Sequence, residues 1–263
     1  MRVTFPKLFM TACVLLLTAC SGLGLDAVTA TPPPPTTTPL QTSTPVWFPA
    51  TATPTPQPVR TQAPTPDMLI GLGEIIATDN FSKSSTWDTA ASDEGSASIS
   101  RDRLTLVAQP GVYMTSLQRN IVADNFYAEI TARPSLCRGA DSYGLLVRAN
   151  AATYYRFSLT CNGQAHAERI SIQERHDLHE PVLSGDVPPG APGEVRIGVW
   201  AAGQELRLFL NGRFQFSFTD FNLSSGTVGV FVYAAGDTPV TVTFSDLVVR
   251  AVDYVPPTRT PNP

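Results

Sequence analysis

The sequence predicts an all-β body, and three observations support that prediction. Between Asp67 and Tyr254, apolar residues recur at every second position in many short runs, as in strands with one buried face. Turn residues interrupt these runs at a spacing of about 8–12 residues, and Asn211-Gly212 is the dipeptide typical of a two-residue hairpin. No segment shows a helical stripe of apolar residues. Many short antiparallel strands around one core form a two-sheet sandwich or a barrel, and the irregular loops favour the sandwich.

The first residues have the features of an export signal. Arg2 and Lys7 flank the start of an apolar run, Leu8 to Leu17, which is shorter than the roughly 20 residues that span a bilayer. Leu17-Thr18-Ala19-Cys20 then resembles the lipobox of bacterial lipoproteins. The resemblance implies removal of residues 1–19, acylation of Cys20 and a lipid anchor on the extracytoplasmic face of a membrane in the cell envelope. The alternative is an ordinary cleaved signal peptide followed by a free cysteine.

Residues 20–66 are expected to form a Pro/Thr-rich stalk without a packed core. From Thr31 to Pro66, 12 of 36 residues are proline and 11 are threonine, and such a composition favours extended polyproline II. We expect this disordered stalk to hold the body away from the membrane. Residues 255–263 repeat the same chemistry and are expected to form a disordered tail. The body is therefore expected to span residues 67–254.

Two cysteines remain for the body, because Cys13 lies in the signal peptide and Cys20 carries the lipid. Disulfides persist in exported proteins. A bridge between Cys137 and Cys161 would close a loop of about 25 residues and stabilise the fold by roughly 3 kcal/mol in the chain-entropy model. A metal site is the alternative, but no further ligands flank these cysteines at a suitable spacing.

The charge of the chain limits its partners. Charged residues make up 15% of the sequence and the net charge is -4, so the chain lacks the basic surface that neutralises phosphates in a nucleic-acid complex. We expect no nucleic-acid partner, and we expect a monomer.

Segments along the whole body resemble the concanavalin A-like lectin/glucanase superfamily, on its laminin-G-like and 3-keto-disaccharide hydrolase branch. The segments are Asp79-Asn80-Phe81-Ser82 with Trp87, Tyr143 to Arg148, Tyr154 to Leu159, Glu205 to Gly212, Gly226 to Phe231 and Phe244 to Val249. The resemblance covers about residues 75–252 and implies a jelly-roll sandwich. The fold is shared by sugar binders, hydrolases and adhesion modules, so it implies no single activity.

The carboxylates of the body argue against glycoside cleavage. Hydrolysis normally needs two carboxylates about 5 to 10 Å apart, and glucanases of this superfamily carry them close together on one strand. Here Glu129 stands alone on its strand, and Glu168 and Glu174 are too far apart to form a local pair. We therefore predict that the body binds a carbohydrate, a glycan or polysaccharide, without cleaving it. The alternatives are a 3-keto-disaccharide hydrolase-like enzyme and a laminin-G-like protein-adhesion module.

The outward face of the predicted strands supplies candidate ligand-binding residues. With Tyr155 and Phe157 in the core, alternation places Tyr154 and Arg156 outward. With Leu145 and Val147 in the core it places Arg148 outward, and with Ile170 and Ile172 in the core it places Arg169 outward. Trp200, on the face opposite Val199, is a further candidate. Arginine offers forked donors to hydroxyls or carboxylates, and aromatic side chains offer a flat face to a sugar ring. The alternative is that the arginines only make an outer face soluble and that Trp200 covers a sheet end.

Calcium is the one cofactor that the sequence suggests. Lectin-like sandwiches often hold a cation, and in this superfamily the first strand, which Asp79 is expected to open, lies near the last strand, which contains Asp246. The alternative is that both aspartates accept backbone N–H groups at turns.

The segment His176 to Glu180 lacks the helical histidine spacing of a zinc motif and is expected to form a polar hairpin tip.

Overall fold

A computed structural model describes residues 67–82, 86–150 and 152–254. The predicted signal peptide, Cys20, the stalk and the tail lie outside these residues. No helix in the described part is long and apolar enough to cross a membrane. In chain order the strands are β1 (Leu72–Asp79), β2 (Ala90–Ser92), β3 (Gly95–Ser100), β4 (Arg103–Ala108), β5 (Tyr113–Leu117), β6 (Phe126–Leu136), β7 (Ser142–Ala149), β8 (Tyr154–Thr160), β9 (Gln164–Ile170), β10 (Arg175–Leu183), β11 (Val195–Ala202), β12 (Glu205–Leu210), β13 (Arg213–Thr219), β14 (Thr227–Tyr233) and β15 (Val240–Val252).

These strands form two antiparallel sheets, which confirms the predicted two-sheet sandwich. One sheet has nine strands in the order β13-β12-β11-β6-β15-β4-β3-β2, with β1 added beside β15. The other has six strands in the order β10-β9-β8-β7-β14-β5. Strand β15 is long enough to pair with β4 through its first half and with β1 through its second half. A bulge near Asp246, which has a φ of 58°, separates the two halves.

The core lies between the sheets and is built from the apolar positions of the alternating runs. Their side chains point to one face of each sheet because successive residues of a strand alternate in direction. Six of these positions, all fully buried, are Ile130, Val199 and Leu208 from the nine-stranded sheet and Leu145, Phe157 and Val230 from the six-stranded sheet.

The predicted hairpin and the predicted disulfide are both confirmed. Asn211 and Gly212 join β12 to β13 with φ values of 52° and 78°, the left-handed conformations that a type I′ turn requires. Cys137, just after β6, is bonded to Cys161, just after β8, and their Cα atoms lie 5.7 Å apart. The disulfide therefore ties the nine-stranded sheet to the six-stranded sheet.

The outer face of the nine-stranded sheet carries a second, smaller apolar cluster. Trp200 and Phe209 belong to it, and the segment Met68 to Ile70 packs over it together with Tyr254. The body therefore begins and ends on this outer face, which leaves the outer face of the six-stranded sheet away from both of its ends.

Candidate functional site

A pocket of about 320 Å³ lies on the outer face of the six-stranded sheet. Alternation along β8 and β9 turns polar side chains toward this face while Phe157 and Ala167 enter the core. We call this site the outer pocket. Its lining consists of Tyr113, Ala140, Ser142, Arg156, Ser158, Thr160, His166, Arg175 and Tyr233.

Arg156 is the most firmly positioned cation of the outer pocket. Its guanidinium carbon lies 5.3 Å from the centre of the Tyr113 ring and 5.5 Å from the centre of the Phe231 ring. Both distances suit cation–π attraction. Its Nε also donates a hydrogen bond of 2.6 Å to Oε2 of Glu168. Aromatic rings and a carboxylate thus hold the guanidinium in place before any ligand arrives.

Glu168 lies under the outer pocket with no exposed surface. Burial alone would raise its pKa, but the nearby His166 and the charge of Arg156 outweigh burial and lower the pKa to about 2. Arg175 forms a further ion pair with Oε1. The carboxylate is therefore ionised at neutral pH, and each of its oxygens faces at least one cationic donor.

His166 and Arg175 complete the cationic side of the outer pocket. Nε2 of His166 lies 3.5 Å from Oε2 of Glu168, and Nδ1 of His166 is buried without a hydrogen-bond partner in the described part of the chain. Arg175, on the edge strand β10, keeps 62% of its side chain exposed and lies 3.6 Å from Asp177. A ligand entering the outer pocket therefore meets one fixed arginine and one adjustable arginine.

Aromatic residues form another part of the lining. The rings of Tyr113 and Tyr233 lie 6.4 Å apart, and Tyr113 also lies against Phe231. Burial, followed by the neighbouring Tyr154, raises the pKa of the Tyr113 hydroxyl well above its ordinary value. The hydroxyl therefore stays protonated at physiological pH and remains available as a donor.

The structure brings together two of the five predicted ligand-binding residues. Tyr154 and Arg156 share the outer face, as alternation indicated, and Arg156 lines the outer pocket. Arg169 does not join them, because its register partner is Tyr155, whose ring enters the core. Its guanidinium pairs with Asp220 instead. The expected orientation of β9 was wrong because Ile172, taken as a core residue, is 84% exposed beyond the end of the strand.

Arg148 also departs from its predicted place on the outer face. It is fully buried and has a φ of 48°, at a point where the pairing of β7 with β14 shifts register. Its guanidinium donates hydrogen bonds of 2.8 to 3.2 Å to the backbone carbonyls of Asp124, Gly203 and Leu223. A bulge therefore redirects this side chain, and its donors hold three loops together.

Trp200 is fully buried and lies on the other outer face, that of the nine-stranded sheet. Its Nε1 donates a 2.9 Å hydrogen bond to the carbonyl of Ile70, and the guanidinium carbon of Arg207 lies 4.1 Å from its ring centre. The expected exposure of Trp200 was wrong because the segment before β1 covers it. This outcome is close to the alternative in which Trp200 covers part of a sheet.

The two predicted calcium ligands have other partners. Asp79 accepts hydrogen bonds from the backbone N–H of Phe81 at 2.7 Å and from Nε1 of Trp87 at 2.9 Å. Asp246 accepts one from the hydroxyl of Ser245 at 2.6 Å. Within the described ranges, no group of three or more histidine, cysteine, aspartate or glutamate side chains is arranged to hold a metal ion. Calcium binding stays a prediction without a third ligand.

Sequence reasoning missed most of the outer pocket. Tyr113, His166, Arg175 and Tyr233 come from four different strands, and Glu168 was considered only as half of a catalytic pair. The sequence signal that could have found them was the alternation of Ala165 and Ala167 with His166 and Glu168, which places the polar pair on one face. Their partners across β10 and β14 depend on strand order, which a pattern in one strand does not contain.

Comparison with known proteins supports the fold. No protein-family model matches the sequence, and no curated protein is similar to it in sequence. Similar solved structures include the β-glucanase of Bacillus licheniformis, at 8% identity and a TM-score of 0.51, covering 68% of this chain and 98% of that one. Another was reported for endo-acting O-glycanases that members of the human gut microbiota express to initiate mucin breakdown; it has 9% identity and a TM-score of 0.52, covering 68% of this chain and all of that one. The chain therefore has the concanavalin A-like β-sandwich fold that its sequence predicted.

Proposed function

We propose that this chain is a membrane-anchored surface lipoprotein whose β-sandwich binds carbohydrate at the outer pocket without cleaving it. The observation that carries the proposal is the prearranged Arg156, held between two aromatic rings and a buried carboxylate in a pocket lined by tyrosine and hydroxyl side chains. Sugar-binding sites combine a flat aromatic surface with fixed hydrogen-bonding groups, and this lining offers both.

The similar structures add a weaker support. The β-glucanase and the O-glycanases are described as acting on carbohydrates, and they share only the fold with this chain at this level of identity. Because one fold serves many functions, the argument for sugar binding depends on the outer pocket itself.

The carboxylates around the outer pocket support the proposal of binding without cleavage. A glycosidase needs a carboxylic acid that donates a proton and a second carboxylate. Among the described residues, none that lines the outer pocket is an aspartate or glutamate, and Glu168, with a pKa of about 2, holds no proton to donate at neutral pH. The 3-keto-disaccharide hydrolase-like alternative would appear as turnover of a keto-glucoside by the purified protein.

The anchor is a separate part of the proposal, because Cys20 and the stalk lie outside the described residues. The lipobox-like sequence before Cys20 supports it. The position of the outer pocket is consistent with it, because the body begins on the opposite outer face at Met68 to Ile70. Incorporation of labelled palmitate, lost in Cys20→Ser, is the expected result.

A glycan array with the full-length protein tests the binding. Tyr233 is 37% exposed at the outer pocket, and Phe214 is 39% exposed on β13, away from it. We expect Tyr233→Ala to weaken glycan binding about tenfold, because the substitution removes a stacking surface. Phe214→Ala is the matched control and should leave binding unchanged. Absence of any bound glycan would contradict the proposal.

A further inference from the structure

The hydrogen-bonding groups of the outer pocket are unbalanced in favour of donors. The charged residues of its lining are Arg156, Arg175 and, when protonated, His166. An arginine side chain carries only donors. The remaining polar residues are hydroxyl groups, which act in either direction. A neutral sugar presents hydroxyls that both donate and accept, so some donors of this lining find no acceptor on it.

The one carboxylate at the site does not restore this balance. Oε2 of Glu168 receives Nε and Nη2 of Arg156 at 2.6 and 2.5 Å and lies 3.5 Å from His166. Oε1 faces Arg175. Glu168 therefore occupies Nε and Nη2 of Arg156 and Nη2 of Arg175, and each guanidinium carries further N–H donors beyond these.

The charges around the outer pocket also favour a negatively charged ligand. The lining contributes two arginines, and the buried carboxylate of Glu168 beneath it offsets one of their two positive charges. Asp177 lies 3.6 Å from Arg175, and because the two side chains are 59% and 62% exposed, water and salt weaken the charge of both. Asp177 does not belong to the lining.

We propose that the outer pocket selects an anionic saccharide and that the group it recognises is a sugar carboxylate, as in a uronic acid. This inference rests on the proposed carbohydrate binding and specifies its ligand class. A guanidinium matches a carboxylate through two parallel hydrogen bonds. In this proposal Arg175 makes that contact from its 62% exposed side chain on the edge strand, with Nη2 also paired with Glu168 and Nε 3.6 Å from Asp177, whereas Arg156 is held in place.

The test is binding of the full-length protein to paired polysaccharides. The probes are polygalacturonate, alginate and hyaluronate, each beside its methyl ester, together with dextran sulfate beside dextran. We expect at least one acid to bind about tenfold more tightly than its own ester, since a charge-assisted pair is replaced by a neutral contact. The affinity should also fall as salt is added.

A variant separates recognition of the carboxylate from folding. Arg175→Gln should remove most of the difference between acid and ester, while Arg196→Gln should keep it. Arg196 is the matched control because it is 52% exposed and pairs with one carboxylate, Glu129, on the other outer face. Equal binding of acids and esters, or tighter binding of dextran sulfate than of every carboxylate, would overturn this inference and leave the proposed function standing. No binding to these probes and none on the glycan array would overturn both.

Discussion

Arg148, which is fully buried, and Arg156, whose side chain is 15% exposed, satisfy the same physical requirement in different ways. A buried guanidinium needs partners, because removing its charge from water is costly. Within the part of the chain that the structure describes, the guanidinium of Arg148 donates to three backbone carbonyls and to no carboxylate. Arg156 finds the carboxylate of Glu168 and two aromatic rings. The carbonyl partners make Arg148 a structural residue, while the pocket side of Arg156 stays open to a ligand.

Replacing Arg148 should be costly to stability. We expect Arg148→Met to lower the free energy of unfolding by about 3 kcal/mol, because three loops lose a shared donor and their carbonyls lose hydrogen bonds. Urea unfolding of the full-length protein measures the change. Arg196→Met, at a half-exposed ion pair of 3.4 Å, should cost less than about 1 kcal/mol. Equal costs for the two variants would show that the Arg148 network does not stabilise the fold.

The low pKa of Glu168 predicts how stability depends on pH. Burial opposes ionisation, but His166 and Arg156 favour it, so the pKa falls from 4.5 in the unfolded chain to about 2 in the folded protein. The resulting stabilisation is complete above pH 4.5 and is lost as the pH falls toward about 2. Urea unfolding across this interval should give a shallower decline for Glu168→Gln than for the natural protein. Glu174→Gln, at an exposed position, should keep the natural decline, and parallel declines for all three proteins would contradict the prediction.

At the scale of strands, alternation predicted the faces correctly where a strand is regular and failed where it is not. Along β8, Tyr155 and Phe157 enter the core and Arg156 faces outward, as the pattern indicated. Along β7 the bulge near Arg148 breaks the pattern, and in β9 the apolar Ile172 misled the assignment because it lies beyond the strand. Local sequence encodes the period of two, but bulges and strand order depend on contacts between distant segments.

The disulfide is an element-scale feature because it joins the ends of strands from different sheets. Cys137 and Cys161 are 24 residues apart in sequence, and closing a loop of that length restricts the unfolded chain. We expect the pair Cys137→Ser and Cys161→Ser to lower the free energy of unfolding by about 3 kcal/mol. Reduction of the natural protein should have a similar effect, and reductant should not affect the double variant. An unchanged unfolding midpoint after verified reduction would contradict this assignment of stability.

At the scale of the whole molecule, the sandwich uses its two outer faces for different purposes. The first residues of the body cover part of the outer face of the nine-stranded sheet, where Arg207 stacks on Trp200 and donates a 2.6 Å hydrogen bond to the carbonyl of Met68. The outer face of the six-stranded sheet carries the outer pocket. The core separates the two faces, so we expect their energetic contributions to be independent.

A pair of substitutions tests that independence. Arg207→Ala should lower the free energy of unfolding by about 2 kcal/mol, because it removes a buried donor and the stacking over Trp200. The same substitution should leave glycan affinity unchanged. Tyr233→Ala should weaken glycan binding and leave the free energy of unfolding nearly unchanged. Its half-exposed ring contributes more surface to the outer pocket than to the core. Urea unfolding and glycan titration of both variants and of the double variant give the coupling free energy, which we expect to stay within about 0.5 kcal/mol of zero. A larger coupling would mean that the segment covering Trp200 and the outer pocket communicate through the core, so that the outer face carrying Trp200 influences ligand binding.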